Sequence, residues 1–188
     1  MIDGSPVSCV DLAMPMVIAK ASDFGVTGYE TKPELDANKP LLKRLEEIRL
    51  IAGRMMGMGD VTGQVVPKFC LVSPPRHGNA ITSRYFVPET CHAAHAVTGG
   101  LCLAAACVLP GSVTEGIAVL APGPRRMIVI EHPSGTLATE FELEGTGENP
   151  VIRRAAFVRT ARKIMAGEVY VPGKVWNGHE EVRPAKAA

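Results

Sequence analysis

Apolar positions fall into two rhythms along the chain. From Val7 to Leu12, and again from Met16 to Ala21, they crowd into short runs broken by Pro15, which predicts two short strands. Pro67 to Val72 is a third compact apolar run, and Ser83 to Val87 reads as a brief extended segment. Between the second and third runs the period lengthens. Leu41, Leu42, Leu45, Ile48, Ile51 and Ala52 recur at helical spacing, after a polar stretch in which Asn38 can cap the helix and Pro40 sits in its first turn. That helix should fade at Gly57-Met58-Gly59. Ala93 to Leu109 is almost unbroken apolar or small residues. It predicts a long helix beginning near Pro88-Glu89-Thr90, with Cys91 in the first turn, and ending at Pro110-Gly111. A helix apolar all round is wrapped on every side. The run reaches only the lower edge of membrane-span length, and His95, Thr98 and Gly99-Gly100 interrupt it, so it reads as a core helix.

Further strands are expected at 116–120, 127–131, 136–143, 155–162 and 168–171, separated by turns at 121–124, 133–135 and 145–147. Together these elements predict an α+β fold, a curved and mostly antiparallel sheet wrapped around a central apolar helix. One lobe would span residues 1–176, followed by a flexible tail over 177–188.

Charge and composition narrow the function. Among 188 residues, 20 basic side chains face 19 acidic ones, for a net charge of +1, which argues against a nucleic-acid partner. The 19 glycines and 15 prolines fit a turn-rich sheet rather than a bundle. Five cysteines at irregular spacing, without a Cys-x-x-Cys pair, read as reduced thiols in a cytoplasmic protein. The opening Met-Ile-Asp-Gly-Ser-Pro has neither the basic nor the apolar region of a secretory signal, and no membrane partner is expected.

Three places can carry chemistry. In Thr90-Cys91-His92-Ala93-Ala94-His95, a helix start would favour the Cys91 thiolate, and His92 could relay a proton or bind an anion. His92 and His95, three apart, would share a helix face, while Cys-His-x-x-His offers too few spaced ligands for a metal site. The plainer alternative makes Cys91 a small hydrophobe and His95 a satisfied core residue. In Glu131-His132-Pro133-Ser134-Gly135-Thr136, Ser134 and the amides around Gly135 could cradle an anion, although a hairpin turn explains Pro and Gly equally well. In Arg159-Thr160-Ala161-Arg162-Lys163, strand alternation would put Arg159 and Thr160 on opposite faces.

In sequence order, several motifs resemble the PrpF family of 2-methylaconitate isomerases and 4-oxalomesaconate tautomerases. They are Ile2-Asp3-Gly4-Ser5-Pro6-Val7, Ala21-Ser22-Asp23-Phe24-Gly25-Val26-Thr27-Gly28-Tyr29-Glu30, Cys91-His92 with Ala96-Val97-Thr98-Gly99, His132-Pro133-Ser134-Gly135-Thr136, and Arg159-Thr160-Ala161-Arg162. Arg84-Tyr85-Phe86-Val87-Pro88, leading into Cys91-His92, is closer to the oxalomesaconate branch. The resemblance implies a diaminopimelate-epimerase-like lobe and a cofactor-free allylic proton transfer on an unsaturated tricarboxylate. It also implies a second lobe carrying the principal Lys and Cys, which would precede this one and is not among these residues. On that reading Cys91 and His92 stand at the reacting centre, and His132, Ser134, Gly135, Arg159 and Thr160 bind substrate. The partners expected are a small carboxylate and either an N-terminal half or a second copy of the chain. The alternative is a non-catalytic binding or self-associating domain derived from the same fold.

Overall fold

A computed structural model describes residues 1–145, 150–159 and 161–176. Contacts divide the chain into two units, Met1–Val158 and Arg159–Ala188. The first unit holds the described helices and strands: β1 (Ser8–Asp11), β2 (Pro15–Lys20), α1 (Lys32–Ala37), α2 (Lys39–Met55), β3 (Lys68–Ser73), β4 (Ile81–Val87), β5 (Thr90–Cys91), α3 (Val97–Val108), β6 (Arg125–His132), β7 (Gly135–Glu144) and β8 (Val151–Phe157).

One sheet runs in the order β1-β2-β3-β4-β6-β7-β8, with β5 paired to β4 outside that path. Only β2 with β3 and β4 with β6 are parallel, so the sheet is mostly antiparallel, as the turn-rich sequence predicts. Parallel neighbours need a crossover, and each crossover here contains a helix. Both step the same way across the sheet, along strands that run in opposite directions. If both crossovers share one hand, their helices must lie on opposite faces. They do. On one face α2 packs Leu41, Leu45 and Ile48 against Val17, Ala19, Phe69 and Leu71. On the other, α3 packs against Met16, Ile18, Cys70, Val72, Ile128 and Ile130. Strands covered on both sides lose polar alternation, which is why β2 and β3 read as plain apolar runs.

The α3 helix touches β1 and β2 near one end of the sheet and β6, β7 and β8 at the other. The sheet therefore curls around it, as expected. Two glycines bring it close. A Cβ on Gly99 would stand 2.5 Å from the Tyr85 ring, and one on Gly100 2.3 Å from Leu137. Among the described residues no helix is long and apolar enough to cross a membrane.

Local chemistry accounts for the helix starts. The Asn38 side chain accepts the Leu41 amide, and Pro40 lies in the first turn of α2. Thr31 and Glu34 close a capping box on α1, a short helix that the periodicity does not reveal. Arg49, 1% exposed, sits inside the α2 face, where Glu46 and the Val61 and Val66 carbonyls occupy its guanidinium.

Four sequence expectations change. Residues 116–120 form turn and loop, not strand. β8 ends at Phe157, and 168–171 is not a strand, so Arg159 lies on no strand face. The central helix begins at Val97 rather than near Pro88. Tertiary hydrogen bonds explain the last difference, because they claim the backbone groups that a longer helix would need. The Cys91 amide donates to Asp36 at 2.7 Å, its carbonyl accepts from Lys32 Nζ at 2.8 Å, and the His92 amide donates to the Tyr85 carbonyl at 2.7 Å.

Candidate functional site

The ends of β4 and β6 open onto a concavity of about 350 Å³, walled by Tyr29, Arg76, Thr82, Arg84, Glu131 and His132, with Gly135 and Thr136 at its edge. A larger depression of about 560 Å³ near Val108 and Pro124 adjoins residues outside the described set and gathers no comparable chemistry.

The acidic side chain that lines this basin, Glu131, and the one beside Arg84, Glu30, are both occupied by the chain itself. The Glu131 carboxylate accepts from the amides of Arg76 (2.8 Å) and His77 (2.7 Å), from Asn79 Nδ2 (2.9 Å) and from Thr82 Oγ1 (2.8 Å). Burial works against the charge, but these donors outweigh it and hold the carboxyl down at about 2. Glu30 accepts from the Thr27 amide (2.6 Å), Thr27 Oγ1 (2.8 Å) and the Gly28 amide (2.8 Å). Its pKa is likewise lowered by these bonds against a desolvation penalty.

The cations keep no such partner. Among the described residues neither Arg76 nor Arg84 forms an ion pair. Arg84 is buried and donates only to the carbonyls of Glu30 (2.7 Å) and Ser83 (2.9 Å). Burial pushes its pKa down, with Arg76 adding repulsion against the pull of nearby acidic groups. Arginine does not release its proton, so a buried guanidinium held only by two carbonyls among the described residues would be stabilised by an anion. Arg76 lies over the Tyr29 ring, its guanidinium carbon 3.7 Å from the ring centre.

His132 ends β6 at this basin. The β6–β7 hairpin pairs His132 with Gly135, leaving Pro133 and Ser134 as its two-residue loop. Neither loop residue has positive φ, whereas Gly135 takes φ 144°, so glycine meets a conformational need of the turn. The Ser134 amide donates to His132 Nδ1 at 3.3 Å, which leaves that ring its proton on Nε2. The Ser134 hydroxyl is 3.4 Å from the same nitrogen. His92 is set alike, its Nδ1 accepting the Ala94 amide at 3.0 Å. Burial lowers the His132 pKa, and the His92 and Arg84 charges add to this against a Thr136 carbonyl. Each ring accepts at Nδ1 and so keeps Nε2 as its donor.

Of the residues singled out from sequence, His132 and Gly135 line the basin. Ser134 touches His132 from the loop, and His92 is close enough for its charge to act on His132. Cys91 goes elsewhere. It is a residue of β5, not of a helix first turn, and its thiol packs in the apolar cluster under α2 with Leu35 and Phe86. Burial pushes that thiol up to about 11, the opposite of activation, with Asp36 adding and Arg84 and Lys32 opposing. His92 and His95 share no helix face, because both precede α3. His95 is buried with its Nδ1 2.9 Å from the Ala96 carbonyl. Arg159 opens the second unit, and Thr160 lies outside the described residues.

Sequence reasoning placed Arg76 only in a loop, and treated Tyr29, Glu30, Glu131 and Arg84 only as parts of motifs without assigning them a role. Arg84 did leave a signal, as the one charge inside the apolar run Ile81-Thr82-Ser83-Arg84-Tyr85-Phe86-Val87.

A family model described as PrpF protein matches residues 3–172. The chain belongs to the PrpF family. This PrpF chain is 44% identical over 171 residues to the (4E)-oxalomesaconate Delta-isomerase of Novosphingobium sp. strain KA1, covering 91% of the chain and 47% of that protein. It is 43% identical over 180 residues to the 4-oxalomesaconate tautomerase of Pseudomonas putida, covering 96% and 49%. The crystal structure of a methylitaconate-delta-isomerase matches with a TM-score of 0.74 at 29% identity, over 88% of the chain and 46% of that structure. The PrpF chain therefore spans about half the length of the relatives it matches.

Proposed function

We propose that the chain is one lobe of a cofactor-independent isomerase or tautomerase that shifts a proton along the allylic system of an unsaturated tricarboxylate. The observation that carries this reading is the inverted charge balance of the basin. Glu30 and Glu131 are engaged by internal donors, while among the described residues Arg76 and Arg84 have no acidic partner. The named activities of the relatives supply the reaction class.

In such a reaction a proton leaves one carbon and returns to another, and negative charge spreads into a conjugated carboxylate between the two events. Fixed cations and N–H donors that face that carboxylate stabilise the charge as it forms. Arg84, Arg76 and the Nε2 donors of His132 and His92 suit this task. The groups that take and return the proton would come from the other half, consistent with a Cys91 thiol held protonated in the core.

The test is titration with trans-aconitate, followed by calorimetry and amide shifts. An Arg–carboxylate contact contributes about 1.5–3 kcal/mol, so Arg84→Met should weaken binding by about 10- to 100-fold, with an unchanged circular dichroism spectrum. Equal affinity in wild type and variant, or no binding by either, would defeat the reading.

A further inference from the structure

Glu131 poses a problem for an anion site, since a carboxylate in the wall should repel the ligand. Its bonding explains its presence. Two of its four donors are the consecutive amides of Arg76 and His77, and a third is Asn79, so one side chain pins the loop between β3 and β4. The fourth, Thr82, belongs to β4 and pairs directly with Glu131 across the parallel β4–β6 seam. The loop is gripped from its other side by Tyr29, whose hydroxyl donates to the Pro74 carbonyl at 2.9 Å and whose ring carries the Arg76 guanidinium. Arg76 is exposed and would otherwise sample many rotamers. Held at its amide by Glu131 and at its guanidinium by Tyr29, it has its backbone and its head fixed together.

We infer that Glu131 and Tyr29 act as positioning residues which preorganise Arg76 as a carboxylate-recognising side chain, making Arg76 a determinant of how many carboxylates the ligand must carry. This rests on the anion-site reading above. Glu131 acts through the loop and touches no ligand. Arg76 supplies a second guanidinium beside Arg84, so a molecule with two or more carboxylates gains from both while a monocarboxylate gains from one. Preorganisation converts directly into affinity because the ordering is complete before the ligand arrives.

Two arms test it, and their failures differ. The first needs no ligand. Stacking on Tyr29 should move the Arg76 side-chain methylene protons upfield, and Glu131→Gln should erase that shift while the β6–β7 amide signals stay in place. Tyr29→Leu removes the ring and serves as the variant that leaves the buried Glu131 network intact; its Arg76 amide should keep its wild-type shift. An unchanged Arg76 stacking shift in Glu131→Gln overturns the clamp. The second arm compares trans-aconitate with its monocarboxylate analogue crotonate. Arg76→Met, Glu131→Gln and Tyr29→Leu should each weaken aconitate binding by about 10-fold and leave crotonate nearly unchanged. The double variant Glu131→Gln/Arg76→Met should bind no worse than Arg76→Met alone, because both lesions remove the same contact. Losses that multiply would show that Glu131 acts independently and overturn the inference. If wild type binds no aconitate, the anion-site reading fails, whatever the first arm shows about the clamp.

Discussion

His95 is the residue whose burial most sharply limits what the side chain can do. Its Nδ1 faces a carbonyl, so that nitrogen carries the proton, and Nε2 is left buried without a partner among the described residues, as are the hydroxyls of Ser83 and Tyr85. Its ring lies 4.7 Å from that of Tyr85. Burial depresses its pKa to about 4, with the His132 and His92 charges adding and the Ala96 bond opposing. The unfolded chain would protonate near 6.5. Between those values the unfolded state binds a proton that the folded state refuses, so stability falls as pH drops through that window, by about 3 kcal/mol in all. Urea unfolding at pH 7 and pH 4.5 should show this decline, and His95→Phe should lessen it, leaving the smaller contribution of His132. Equal slopes in both proteins would mean that the ring is hydrated. Glu131 titrates lower: its pKa is depressed to about 2, so the stability it confers is lost only as pH falls below the ordinary carboxylate range.

At the scale of elements, the helix–sheet contact through Gly99 and Gly100 decides how tightly the core closes. An alanine is a better helix former than glycine by about 1 kcal/mol. At Gly99 this gain meets a Cβ placed 2.5 Å from the Tyr85 ring, with sheet on the far side. Overpacking of this kind costs about 1–3 kcal/mol, so Gly99→Ala should lower stability on balance, by about 1 kcal/mol, and thermal unfolding would register a fall of several degrees. A rise in melting temperature would mean that Tyr85 moves aside freely. The same elements show what could be read in the chain beforehand. β2, β3 and α2 were legible because a single short-range pattern specifies each. The start of α3 was not, because Asp36, Lys32 and Tyr85 claim backbone groups of Cys91 and His92 from distant positions. The anion basin was half legible for a similar reason. The His132–Gly135 turn is a local motif, whereas the lack of an acidic partner for Arg84 and Arg76 among the described residues depends on Glu30 and Glu131 being engaged elsewhere.

At the scale of the molecule, the chain belongs to the PrpF family and spans 47% and 49% of the two relatives compared in sequence. On the proposed reading, a chain that offers donors and cations but, among the described residues, no free base at the basin should bind ligand before it can convert it. Alone, the chain is expected to bind trans-aconitate without changing the ultraviolet absorbance of 4-oxalomesaconate. Adding a separately produced first half of the Pseudomonas putida tautomerase should restore turnover at a rate set by the concentration of the pair. Full turnover by the chain alone would place the proton-transfer groups within these residues. A folded, associated pair without turnover would count against the half-enzyme reading and favour a binding domain.

The two crossovers of one hand have a consequence for how strand alignment is guarded. In most sheets a slip by one residue is resisted because it drives polar side chains inward. In β3 that safeguard is missing, since Phe69 and Leu71 under α2 and Cys70 and Val72 under α3 are all apolar. What separates the two sides is bulk, and β2 reverses it, with Met16 and Ile18 toward α3 and the smaller Val17 and Ala19 toward α2. Each layer therefore receives large groups from one strand and small groups from its neighbour, and a shifted strand would meet crowding on one side and a void on the other. Alignment in the middle of this sheet is kept by volume, not by affinity for water.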